Sequence, residues 1–159
     1  MPAVAALLRR AYRSEDADLF APGNDPAEWE RYVRNLVAYT GCGSFNPAVS
    51  SVVRDGHEVR AVAIVTEIDA GIAHLVQLAV DPVRRGSGLG RVLLERVCRE
   101  LSERGYRAVT LMVAASNARA RRLYEEAGFT QTATFVAATL RREATESAEE
   151  DRPFLDPME

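Results

Sequence analysis

Leu78-Ala79-Val80-Asp81-Pro82-Val83-Arg84-Arg85-Gly86-Ser87-Gly88-Leu89-Gly90 is the stretch that decides the fold. It reads as the end of a strand, a turn rich in Arg and Gly, and the start of an amphipathic helix. Three glycines, Gly86, Gly88 and Gly90, leave the backbone bare where the helix begins. The first N–H groups of a helix have no internal partner and sit at the positive end of its dipole. Such an end is a cradle for phosphate or pyrophosphate, so a phosphate-bearing ligand is expected here.

Three glycine-rich loops compete for this pattern. A nucleotide-triphosphate loop ends in Gly-Lys-Ser/Thr, but Gly90 is followed by Arg91 and Val92, and the chain has no lysine. A dinucleotide fingerprint needs Gly-x-Gly-x-x-Gly, and Arg91 stands where its third glycine should be. What remains is Arg-x-x-Gly-x-Gly, met by Arg85, Gly88 and Gly90. A second stretch, Asn117-Ala118-Arg119-Ala120-Arg121-Arg122-Leu123-Tyr124-Glu125-Glu126-Ala127-Gly128-Phe129, follows after one helix and one strand. The two together, in this order, resemble the GCN5-related N-acetyltransferase (GNAT) superfamily. Its loop is Gln/Arg-x-x-Gly-x-Gly/Ala and its later segment is Asn-x-x-Ala-x-x-Leu-Tyr-x-x-x-Gly-Phe. The likeness is sharp from about Ala73 to Phe129, softer from about Ser50, and poor at both ends.

The resemblance implies an α/β (α+β) fold with a mixed, mostly antiparallel central sheet flanked by helices. It also implies a splayed strand pair that binds the arm of coenzyme A. Acetyl-coenzyme A would be the co-substrate, with no metal. By this likeness the backbone from Arg84 and Arg85 through Gly86, Ser87, Gly88, Leu89 and Gly90 would hold the pyrophosphate. Leu78 and Val80 would offer their backbone to pantetheine, the Leu78 N–H stabilising the oxyanion. Asn117 would bind the pantetheine arm, and Tyr124 would protonate the departing thiolate. The family has no fixed base; Glu67 and His74, near facing ends of adjacent strands, are the candidates. One departure stands out: the superfamily opens with a strand, and this chain opens with helical residues. Either that strand is absent or another segment, such as one containing Phe154 and Leu155, fills its edge.

Composition narrows the rest. The 159 residues are 47% apolar and 27% charged, as in a soluble single domain with a substantial core. No apolar run approaches the ~20 residues that span a bilayer, and the start carries no leader pattern, which predicts a cytoplasmic protein without a membrane role. A net charge of −3 gives nucleic-acid binding no support. Two cysteines, Cys42 and Cys98, and two histidines form no metal-ligand spacing. Cys98 falls on the inner face of a helix and Cys42 in a Gly-Cys-Gly turn, so direct transfer is favoured over an acyl-cysteine route.

Periodicity then orders the chain. Helices are expected over 3–13, from Pro26 until Gly41, over Leu89 to Glu103 with Gly105 just beyond, and over Asn117 to Ala127. Strands are expected over Ser50 to Arg54, Glu58 to Ile68 and Ile72 to Val80, turning at Asp55-Gly56 and Asp69-Ala70-Gly71. A strand through Val109, Leu111 and Val113 and a last one over Thr134 to Leu140 complete the set. The domain is expected to cover residues 1–142, with an acidic, loose tail over 143–159.

The function expected from these readings is transfer of acetyl from acetyl-coenzyme A to a primary amine, carried by a small molecule or a peptide, in a ternary complex. The alternative is an acyl-coenzyme A binding module without catalysis, serving as a sensor or partner domain. The acceptor is not legible; Trp29, Tyr32 and Tyr39 are candidates for its cleft but sit at core spacing, and Glu15, Asp16 and Asp18 read as a solvated loop. Superfamily members often pair, which leaves a homodimer open.

Overall fold

The computed structural model describes residues 1–12 and 25–136. The charged loop with Glu15, Asp16 and Asp18, the tail with Phe154 and Leu155, and most of the last expected strand lie outside the described residues. Helix α1 is Pro2–Ala11 and helix α2 is Pro26–Ala38. Among the described residues, five strands follow the order β1 Ser44–Phe45, β2 Ser51–Asp55, β3 Glu58–Asp69, β4 Ile72–Val80 and β5 Ala108–Leu111, with α3 Leu89–Glu103 before β5 and α4 Ala118–Glu126 after it. A 3-10 turn, Pro82–Arg84, links β4 to the glycine loop. Among the described residues, no strand precedes α1.

Strands β1 and β2 lie along the same edge of β3, β3 pairs antiparallel with β4, and β4 pairs parallel with β5. The sheet carries a core on each face. One joins Leu7, Leu8, Trp29, Val33 and Leu36 of α1 and α2 to Val62, Ile64 and Ala79. The other joins Leu93, Leu94, Val97 and Leu101 of α3 to Ala63, Val65, Ala73 and Leu75. This two-sided burial explains why β3 reads as one long apolar run.

Local chemistry sets most boundaries. The Asp25 carboxylate accepts from the Ala27 N–H at 2.9 Å and caps α2, while Pro26 occupies its first turn. Helix α3 ends at Glu103, Arg104 is its C-cap, and Gly105, with φ of +76°, is the left-handed residue past the cap. Four expectations are corrected. Helix α2 stops at Ala38, because Tyr39 is already extended, so Gly41 is not its terminator. The hairpin turn is Gly56-His57, one residue later than expected, because Asp55 still pairs with Glu58. Strand β5 ends at Leu111 and does not reach Val113. Thr134 to Val136 form no strand: Thr134 bonds the Gln131 side chain at 2.8 Å, and Phe135 and Val136 are both exposed, with no alternation between them.

Candidate active site

Strand β4 holds the key to the site. Its register with β3 slips between Ile64 and Val65, which leaves Val76 as an extra residue. Its pairing with β5 runs from Ile72 with Ala108 to Leu75 with Leu111 and then stops. A bulge bends its strand and ends pairing, and here the bulge and the parting of the two strands coincide. The residues after it, 77–80, therefore face a gap on the β5 side.

Which amides face that gap follows from ladder parity. The Asp81 N–H donates to the Arg60 carbonyl at 2.8 Å, which makes 60 and 81 a hydrogen-bonded pair. Antiparallel rungs alternate. So Ala79 and Gln77 direct their amides and carbonyls at β3, and Leu78 and Val80 direct theirs into the gap. The two residues singled out in the sequence thus carry the backbone groups on the open side.

The glycine loop lies at the end of the same strand. Gly86 and Gly88 have φ of +85° and +84°, and Gly88 is the N-cap of α3. No side chain caps this helix, and among the described residues no protein acceptor meets the N–H groups of Gly86, Gly88, Leu89, Gly90 or Arg91. A Cβ built on Gly86 or Gly88 meets nothing within 4 Å, so the positive φ, not crowding by protein, selects glycine there. Gly90 differs: its Cβ would stand 3.6 Å from both Val80 and Leu123, an ordinary contact. Ala at 90 is therefore expected to leave the melting temperature within about 2 °C of the parent in a thermal scan, the usual range for a neutral change.

The basic side chains of the loop already hold protein groups. Arg84 pairs with Asp55 at 2.8 Å, and Arg85 donates to the Ala11 carbonyl at 2.7 Å. The Ser87 hydroxyl turns back onto the Arg84 carbonyl at 2.6 Å. What the loop leaves open is backbone.

The Leu123 side chain of α4 lies beside Gly90 on α3, and Arg91 of α3 pairs with Glu126. These contacts bring the second motif against the first. Asn117 caps α4, its side-chain oxygen accepting from the Ala120 N–H at 3.1 Å, and its amide nitrogen has no partner among the described residues. The Tyr124 ring packs on Phe129 with centroids 5.9 Å apart, and burial pushes its pKa up to about 12.

The two base candidates do not stand together. Glu67 pairs with Ala73, and His74 pairs with Thr66. Ala73 lies in the α3 core, so Glu67 points to that face and His74 to the α1/α2 face. Glu67 accepts a short hydrogen bond from the Tyr106 hydroxyl, which Asn46 also contacts at 2.9 Å. Glu67 is also four residues along β3 from the Leu78 rung, about 13 Å away. The half-buried His74 bonds the Thr110 hydroxyl through Nδ1 at 2.8 Å, and burial lowers its pKa.

Some site residues were not singled out by sequence. Gln77 is 4% exposed, and its amide takes the Tyr12 hydroxyl at 2.6 Å and gives a hydrogen to the Tyr32 hydroxyl at 2.6 Å. Tyr12 stacks on Trp29 at 5.8 Å and lies close enough to Tyr32 and Tyr124 that both hydroxyls add to the rise in its pKa begun by burial. Asp81 is buried at the end of β4 between Arg10 and Arg60, each at 3.2 Å. Of the aromatic candidates, Trp29 is core, Tyr39 is exposed, and Tyr32 faces Gln77. Cys42 is exposed and Cys98 half-buried, with burial raising the Cys98 pKa. Among the described residues, no group of three or more His, Cys, Asp or Glu could hold a metal ion, and no helix is long and apolar enough to cross a membrane.

Comparison with known proteins points to one family. The model of the Acetyltransferase (GNAT) family matches residues 5–129. The mycothiol acetyltransferase of Beutenbergia cavernae is 40% identical over 125 residues, which cover 77% of this chain and 41% of that protein. The [ribosomal protein bS18]-alanine N-acetyltransferase of Escherichia coli is 43% identical over 82 residues, 52% of this chain and 51% of that one. The chain thus spans about half the length, or less, of these curated relatives. The crystal structure of the ribosomal-protein-S18-alanine N-acetyltransferase from Escherichia coli superposes with a TM-score of 0.61 at 28% identity, covering 83% of this chain and 72% of that one.

Proposed function

The chain belongs to the acetyltransferase (GNAT) family, and from that premise we propose that it transfers acetyl from acetyl-coenzyme A to a primary amine by direct attack in a ternary complex. Acetyl-coenzyme A is the co-substrate of GNAT acetyltransferases. The observation that carries the reading is the alignment of two sets of unpaired amides, those of Leu78 and Val80 in the gap and those that open α3.

The residues fit this ligand. The N–H groups of Gly86, Gly88, Leu89 and Gly90 hold the pyrophosphate, and the helix dipole adds to their field. Arg84 and Arg85 contribute charge if they leave Asp55 and Ala11. Leu78, Val80 and the free amide nitrogen of Asn117 bind the pantetheine arm. When the amine attacks, its nitrogen bonds the acetyl carbon and negative charge grows on the carbonyl oxygen, where the Leu78 N–H stabilises it. The carbon–sulfur bond then breaks, and the Tyr124 hydroxyl gives its proton to the sulfur. A pKa near 12 keeps that proton in place until it is needed.

The amine must lose a proton to react, and His74 suits that task better than Glu67. It lies on the face of β4 that also carries Gln77, and its lowered pKa leaves it neutral, hence able to accept, at pH 7. The expected kcat/KM profile rises with pH along a limb centred below the ordinary histidine value of about 6.5 and levels off above it until the acceptor's own ammonium group titrates. His74→Gln is expected to remove that limb. A limb that survives in this variant assigns the proton to another group.

The acceptor is proposed as a small-molecule or peptide amine, the two kinds that the relatives' names suggest. Release of free thiol from acetyl-coenzyme A with a panel of amines tests the reading. Binding of coenzyme A without turnover of any amine supports the non-catalytic module instead.

A further inference from the structure

We propose that Gln77 sets the hydrogen-bond polarity on the acceptor side of the cleft, so that Tyr12 presents lone pairs and Tyr32 a proton, and that the pair selects amines bearing a carbonyl on the neighbouring carbon. The proposal rests on the acetyl-transfer reading above.

An amide has one accepting and one donating end. The Gln77 oxygen takes the proton of Tyr12, and its nitrogen donates to the oxygen of Tyr32. Tyr12 has thereby spent its proton and can only accept from a further group. Tyr32 has already accepted, and its own proton has no acceptor among the described residues. A bridge that served packing alone would be sealed on all sides. This one is not: Gln77 is buried, but both tyrosines are half-buried.

Its position ties it to the reaction. Gln77 directly precedes Leu78, whose N–H faces the gap, and its amide faces β3 by parity. Its side chain lies on the same face as His74, because their partners Ile64 and Thr66 are two apart on β3, and Tyr12 lies within electrostatic reach of Tyr124. An amine entering from the α1/α2 face can donate an N–H to Tyr12 and keep its lone pair for the acetyl carbon. A carbonyl on the next carbon can then accept from Tyr32. An alkyl group there leaves the Tyr32 proton unpaired in a desolvated wall, which is unfavourable.

The test compares kcat/KM for alaninamide and for 3-methylbutan-2-amine, which has the same shape without the carboxamide. Because the two amines differ in basicity, the readout is the change in their ratio between variants. Tyr32→Phe keeps the ring and removes the proton; the alaninamide preference is expected to fall about tenfold. Gln77→Glu replaces the amide by a group that accepts from both hydroxyls, which turns the Tyr32 proton inward, and the same fall is expected. Coenzyme A affinity, measured alongside, reports that both variants are folded. A ratio unchanged in both variants overturns the proposal while acetyl transfer stands. Failure of the parent protein to turn over any amine overturns acetyl transfer and this proposal with it.

Discussion

Tyr124→Phe is expected to lower kcat about a hundredfold and to leave coenzyme A affinity within about twofold, the pattern of a lost general acid. The phenylalanine keeps the ring against Phe129 and removes only the hydroxyl. Burial already holds that hydroxyl protonated, so the variant loses a donor without leaving a buried charge. The loss belongs to kcat because the proton moves only as the thiolate departs. Pre-steady-state measurement of thiol release at saturating amine checks the size of the effect, and coenzyme A titration checks the binding. A Phe variant with parental kcat removes Tyr124 from the chemistry and leaves it as a packing residue of α4.

The second large effect concerns stability. Asp81→Ala is expected to cost about 3 kcal/mol and to lower the melting temperature by about 6 to 12 °C. Its side chain is 4% exposed and is held by Arg10 of α1 and Arg60 of β3, while its Oδ1 accepts from the Val83 N–H at 3.3 Å. Removal takes the one buried counter-charge from the Arg60 guanidinium, 21% exposed, and leaves it only the exposed carboxylates of Asp55 and Glu58. Burial by itself would raise the Asp81 pKa, but the Val83 amide and the two arginines outweigh it and hold it low. The folded state therefore favours the carboxylate. Its contribution is complete above the unfolded value of about 3.9 and is lost as pH falls through the lower folded value. The gap in stability between parent and variant should accordingly close in acid, as denaturant melts at pH 7 and pH 3 would show. Because Asp81 joins β4 to the glycine loop, its loss should loosen the loop as well as the fold.

The elements around the site were legible where punctuation is local. Strand β4 has the expected bounds because Gly71, at φ +71°, opens it and Asp81-Pro82 closes it. Helix α3 runs from Leu89 to Glu103 as expected, between a left-handed Gly88 and Gly105. The glycine loop was legible for the same reason. The bulge at Val76 was not, because nothing in Ile72-Ala73-His74-Leu75-Val76-Gln77 marks an extra residue. It depends on register with β3, and it decides which residues after it face which helix. Glu67 and His74 read as facing ends of neighbouring strands, but their adjacent rungs point to opposite faces. The Tyr12–Gln77–Tyr32 chain joins three elements separated by 65 and 45 residues, beyond any local pattern. Its one sequence sign was a glutamine inside an apolar strand. The expected strand at Thr134 illustrates the reverse: alternation is a local signal, but a strand needs an edge to pair with, and Phe135 and Val136 meet none.

Titration of the protein with coenzyme A, beside a Gly86→Asn/Gly88→Asn variant, tests most directly that the bare amides opening α3 grip the ligand. Asparagine enters the left-handed conformation more readily than other side chains, and at both positions a Cβ meets no protein atom, so the variant should fold. Its new side chains occupy the space over the amides. The account predicts tight binding by the parent and affinity weaker by about tenfold or more in the variant. Equal affinity in the two, or no binding by either, would contradict it.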